Sequence, residues 1–106
     1  MAKYLVQGNY VGEGIKGVLK EGGTSRRAAL EKAVKSLGGT AEAFYYAFGD
    51  SDAYLIADLP DNACAAALAL MMNASGTVVV KTTVLMTPEE LDAAARKTPN
   101  YRPPGQ

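Results

Sequence analysis

Hydrophobic and polar positions change their period along this chain in a regular order. From Lys3 to Tyr10 they alternate, with Tyr4, Val6, Gly8 and Tyr10 on one face and Leu5, Gln7 and Asn9 on the other, the period of a strand. Between Val11 and Leu37 the spacing becomes helical, through Ile15, Val18 and Leu19 and then Ala29, Leu30, Ala33, Val34 and Leu37. Gly22-Gly23 interrupts this segment and Thr24-Ser25 offers capping hydroxyls, so the pattern predicts a short helix, a restart and a longer helix ended by Gly38-Gly39. Two apolar runs follow, Ala41 to Phe48 and Ala53 to Leu59, joined by Gly49-Asp50-Ser51-Asp52, which reads as a β-hairpin. Asp61 stands where an N-cap belongs, ahead of an alanine-rich helix from about Asn62 to Ser75 that Gly76 stops. The valine- and threonine-rich run Thr77 to Met86 predicts a fourth strand. Thr87-Pro88-Glu89-Glu90 then opens a short helix with a capping box. From Thr98 the chain is polar and proline-rich, an extended tail.

The order β-α-β-β-α-β with an extra short C-terminal helix is the α+β, ferredoxin-like plan, an antiparallel four-stranded sheet with both main helices on one face. Residues 1–97 are read as the folded domain and 98–106 as the tail. In such a fold the second face of the sheet meets water and is polar. Here Phe44, Tyr46 and Phe48 alternate with Ala43, Tyr45 and Ala47, and both faces of the fourth strand carry valine. Both faces therefore need cover. A second subunit is the economical source, and two such sheets face to face make a dimeric α/β barrel enclosing a space. A homodimer or higher homo-oligomer is expected.

Composition narrows the chemistry. In 106 residues, eleven basic side chains balance eleven acidic ones, so no basic funnel for nucleic acid or an anionic membrane stands out. The basic-aromatic signature of RNA-binding modules with this plan is missing from Ala53 to Leu59. The longest apolar run, Ala63 to Met72, falls short of the about 20 residues that span a bilayer. A lone Cys64 and no evident export signal point to a cytoplasmic setting. Without histidine, the usual triads and zinc sites are improbable, and no metal or cofactor is expected. Any catalysis falls to carboxylates, tyrosines, lysine, arginine or the backbone.

The run from Gly49 through Ala53-Tyr54 to Pro60-Asp61 resembles the signature hairpin of GYD-domain proteins, small microbial proteins named for Gly-Tyr-Asp. Asn9-Tyr10, Glu13-Gly14-Ile15-Lys16, Leu37-Gly38-Gly39 and Thr87-Pro88-Glu89-Glu90 also fit, so the resemblance covers roughly residues 3 to 96. Gly49 matches the family glycine and Asp52 its aspartate, while Ser51 stands in place of the tyrosine. The resemblance implies a ferredoxin-like dimeric α/β barrel and no established activity. Related barrels include small oxygenases, isomerases and ligand sensors.

Among candidate site residues, Asp50 and Asp52 could hold a cation or act as a base, or simply build the turn through their own backbone. Asp58 shares a strand face with Tyr54, about 7 Å or more away, and could orient a polar ligand or sit in solvent at the strand end. Tyr10, Tyr45, Tyr46, Tyr54, Gln7, Asn9, Lys81 and Thr83 put phenols, amides, an ammonium and a hydroxyl on strands, as core residues or as the polar points of an apolar pocket. Gly22-Gly23-Thr24-Ser25-Arg26-Arg27 could attract an anion or merely mark a helix break, and Cys64 reads as a small apolar residue. The reading is a homodimer binding a small, largely apolar ligand in the barrel, with Tyr45, Tyr46, Tyr54, Asp52 and Asp58 lining it. Two rivals stand beside it. One is a cofactor-free oxygenase or isomerase with Asp52 or Asp58 as base and Lys81 or a tyrosine steadying an enolate. The other is an interaction module whose barrel is filled by side chains.

Overall fold

A computed structural model describes all of residues 1–106. The elements run β1 (Ala2–Tyr10), α1 (Glu13–Glu21), α2 (Gly23–Ser36), β2 (Thr40–Tyr46), β3 (Ala53–Leu59), α3 (Asn62–Ala74), β4 (Val78–Leu85) and α4 (Pro88–Ala95). The four strands form one antiparallel sheet in the order β2-β3-β1-β4, the ferredoxin-like arrangement.

Strand alternation selects the buried face. Tyr4 and Val6 of β1 and Leu55, Ala57 and Leu59 of β3 point toward the helices and close on Val34 of α2 and on Ala65 and Leu68 of α3. Full burial of a leucine or valine side chain contributes about 1.5–3 kcal/mol, so this small cluster supplies much of the driving force for docking the helices. The phenol of Tyr4, 1 % exposed, donates to Asn62 Oδ1 at 2.6 Å, so its polar end is satisfied where β1 meets the first turn of α3.

Helix ends follow local chemistry. Asp61 caps α3 by accepting from the Cys64 N–H at 2.9 Å, and Thr87 and Glu90 close a capping box on α4. At the end of α2, Gly39 N–H donates to Val34 O and Gly38 N–H to Lys35 O, at 3.0 and 2.9 Å, a Schellman closure with Gly38 at φ +84°. A Cβ on Gly39 would stand 2.3 Å from Asp58 O, so only glycine fits where the chain crosses under β3. The start of α2 differs from expectation. Gly22 is its N-cap, Thr24 and Ser25 lie inside the first turn, and no side chain caps it. The helix break arises from Gly22 at φ +91°, a backbone device that hydroxyl residues nearby need not assist.

The hairpin also departs from the expected span. β2 ends at Tyr46, and Ala47 to Asp52 form a longer connection. Asp52 anchors it three ways. Its N–H donates to Gly8 O at 2.9 Å, its carbonyl accepts from the Ala47 N–H at 2.8 Å, and its carboxylate accepts from the Tyr10 N–H at 2.9 Å. One residue thus ties the end of β1 to both arms of the hairpin. Ser51 beside it is buried, at 6 % exposure. A second irregularity, a bulge between Ala41 and Ala43 of β2, was not visible in the alternation.

Two stability predictions follow from these contacts. Asp52→Ala strands the Tyr10 N–H and is expected to cost about 1–3 kcal/mol in urea unfolding, with Asp52→Asn, which keeps one acceptor oxygen, costing less. Gly39→Ala forces backbone apart and is expected to cost about 1–3 kcal/mol in the same assay.

Candidate functional site

Because α1, α2 and α3 lie on one side, the opposite face of the sheet is bare within the single chain. Register aligns its side chains into rows across β2, β3, β1 and β4. Thr40, Asp58, Lys3 and Leu85 form one end; Ala43, Ile56, Leu5 and Thr83 form the middle; Tyr45, Tyr54, Gln7 and Lys81 form the next row, with Asn9 and Val79 beyond. Neighbours in a row stand about 5 Å apart. The middle is apolar and both flanking rows are polar. Tyr45 at 71 % and Val79 at 53 % exposure show how open this surface is.

The sequence candidates divide between sites. Tyr45, Tyr54 and Lys81 share a row with Gln7, with Asn9 and Thr83 adjoining it. Asp58 is on the same face but four residues from Tyr54 along β3, about 13 Å away, too far for both to hold one small polar group. Its carboxylate is also engaged. Lys3 Nζ donates to Asp58 Oδ1 at 3.1 Å and to Glu42 Oε2, a three-residue ionic cluster at the strand end. The bulge in β2 lets Glu42 join it, so periodicity alone could not reveal this contact. Lys3 itself was legible, since it alternates in phase with Leu5.

Asp52 lies outside that face, at the hairpin end, with its carboxylate occupied by Tyr10 N–H. Asp50 is exposed in the same connection. Tyr46 belongs to the helix side. Its hydroxyl donates to Gly23 O at 2.9 Å and its ring meets Phe44 edge to face at 4.9 Å. Burial, reinforced by the neighbouring Tyr10, pushes the Tyr46 phenol above its ordinary pKa, which keeps it a donor. Tyr10 also faces the helices.

There the structure contains a cleft that sequence reasoning missed. Its volume is about 440 Å³, between α1, α2 and α3, with Tyr10, Val18, Arg26, Leu30, Leu68 and Met72 among its walls. Small residues open it, and a Cβ on Gly17 would touch nothing within 4 Å. The signal available in the sequence was the run of Gly14, Gly17, Ala29 and Ala33 at helical spacing. The two arginines that could attract an anion are instead drawn to carboxylates. Arg26 turns to Glu21 at 3.8 Å and Arg27 to Glu31 at 3.8 Å. Cys64 is half-buried, its thiol 3.7 Å from Leu37 O, and the side chain of Asp61 raises its pKa, so thiolate chemistry is disfavoured. No three carboxylates or thiols gather closely enough to share a metal ion. No helix is long and apolar enough to cross a membrane.

The hydrogen bonds that Lys3 donates to Glu42 and then to Asp58 raise its pKa above the ordinary value. A raised lysine pKa adds stability while the lysine is charged in both states, and that contribution is lost as pH rises through the folded value. The Tm difference between wild type and Lys3→Met is therefore expected to narrow above about pH 10.4, as followed by circular dichroism at stepped pH.

Neither a comparison with curated proteins nor one with solved structures finds a match to this chain. A family model does match, over residues 4–95, from within β1 to the last residue of α4. With the sheet order, the hairpin and both capped helices inside that span, the chain belongs to the GYD domain family.

Proposed function

We propose that the protein acts as a homodimer whose bare sheet faces meet and enclose a small, largely apolar ligand. The observation that carries this reading is the composition of the open face. Leu5, Ile56 and Ala43 form an apolar field that no element of the chain covers, while Tyr45, Tyr54, Gln7 and Lys81 line one side of it with donors and acceptors on rigid strands. An exposed apolar field of this kind on a sheet is costly in water and marks an interaction surface. A second copy is self-complementary by symmetry, and the apolar centre with a polar row suits a ligand with an apolar body and one hydrogen-bonding group.

Binding is favoured over proton abstraction by the state of the carboxylates. Asp52 accepts from the backbone of β1 and Asp58 from Lys3, so neither is a free base facing the apolar field. The phenols and Lys81 remain, groups suited to orienting a ligand.

Sedimentation equilibrium is expected to return twice the 11.1 kDa chain mass, and Ile56→Asp, which sets a charge in the centre of the face, is expected to return a folded single chain. A single-chain mass for wild type would sink the dimer. For the ligand, a naphthalene sulfonate probe should bind wild type and be excluded by Thr83→Trp, which fills the enclosed space while the dimer persists. Equal probe binding by both proteins, or none by either, would leave the filled-barrel alternative standing in its place.

A further inference from the structure

The C-terminal arm is the least explained part of the molecule. Every residue from Met86 to Gln106 is exposed, including Met86, Leu91 and Tyr101, although α4 is well formed within it. The radius of gyration, 16.8 Å, exceeds the about 13 Å of a compact chain of 100 residues, and the longest extent reaches 56 Å. A helix of eight residues is too short to be stable in water on its own, since isolated helices are marginal below about 12–15 residues. A capping box and a proline at the first turn specify α4 nonetheless. Such a helix is built to pack, and its own chain offers it nothing.

Charge along the arm is segregated. Glu89, Glu90 and Asp92 come first, then Ala93, Ala94 and Ala95, then Arg96, Lys97 and Arg102. None of the six charged side chains pairs with another charged side chain of the chain. The only hydrogen bond from a basic one is from Arg102 to the carbonyl of Gln106. An acidic block followed by a basic block matches itself when a second copy runs antiparallel beside it, and the alanines at the midpoint allow close approach. Area points the same way. Four strands at about 4.8 Å spacing and seven residues of shared register give roughly 450 Å² of sheet face in projection, about half of the roughly 800 Å² that a standard interface buries on each partner.

We infer that the arm of each copy docks on the arm of a second copy, antiparallel, with the acidic start of one α4 against the basic tail of the other. This rests on the dimer proposed above and adds to it the part of the interface that the sheet does not supply. Leu91 of each arm then packs beside the partner's alanines, and acid facing base once at each end of the twofold pair fixes the direction of docking.

Full-length charge-reversal variants test this at low ionic strength, where exposed pairs act most strongly. Glu89→Lys/Asp92→Lys spares Glu90, whose side chain closes the capping box, and Arg96→Glu/Lys97→Glu reverses the other block. By sedimentation equilibrium each variant alone is expected to self-associate about tenfold more weakly than wild type, because two of the three charges in one block then repel the block they face. An equimolar mixture of the two is expected to recover association near the wild-type level. Circular dichroism reports that both variants are folded. A wild-type dimer unchanged by either reversal would overturn the arm pairing while leaving the sheet dimer intact. A mixture no tighter than its components would overturn it as well, and a wild-type protein of single-chain mass would overturn both readings.

Discussion

Three strands converge on Asp52, and much of the structure depends on that junction. With its amide on Gly8, its carbonyl on Ala47 and its carboxylate on Tyr10, this residue holds the hairpin in one register against β1. Register is all-or-none in its effect on a sheet, because a slip of one residue turns every side chain to the opposite face. With the register held, Leu55, Ala57 and Leu59 meet the helices, and Tyr54, Ile56 and Asp58 look the other way. The carboxylate that stood out as a chemical candidate is thereby committed to organising backbone. Ser51, the buried residue of an otherwise exposed turn, is part of the same junction.

From that division follow two distinct surfaces. The helix side is closed over β1 and β3, with a cleft that small residues leave between α1, α2 and α3, and opens at the β4 edge, where Val84 is exposed. On the other side lies an apolar field between an ionic cluster and a row of tyrosine, glutamine and lysine. Polar groups at the two ends differ in kind. Lys3 binds Glu42 and Asp58 together, whereas Tyr45, Tyr54, Gln7 and Lys81 keep hydrogen-bonding capacity directed outward. The arm beyond β4 belongs to neither surface, and its exposed helix and segregated charge set it apart from the rest of the chain.

How much of this was legible depended on the range of the interaction involved. Caps were read correctly where the determinant is a neighbour in sequence, as with Asp61 and Cys64 or Thr87 and Glu90. Thr24 and Ser25 misled because a positive φ at Gly22 breaks the helix without them. Tyr46 resembles Tyr45 and Tyr54 by residue type, yet alternation sends it to the helix side, where its hydroxyl donates to the Gly23 carbonyl. Asp52 in the turn and Asp58 at the strand end both read from sequence as candidate bases. Only Tyr10 and Lys3, each more than forty residues from its partner, separate their roles.

The sequence by itself determined the order of the elements, the two periods, the helix stops and the ferredoxin-like plan, because each of these rests on contacts within a few residues or on side-chain alternation. It also determined that the sheet has more apolar surface than one layer of helices can cover, since that is a property of composition and period. Tertiary structure decided which candidates share a surface, which carboxylates are already bonded, where β2 bulges to bring Glu42 to Lys3, and how much space remains between the helices. Those outcomes depend on distances between residues far apart in the chain, set by strand register and by the volume of facing side chains, and no local pattern encodes either quantity.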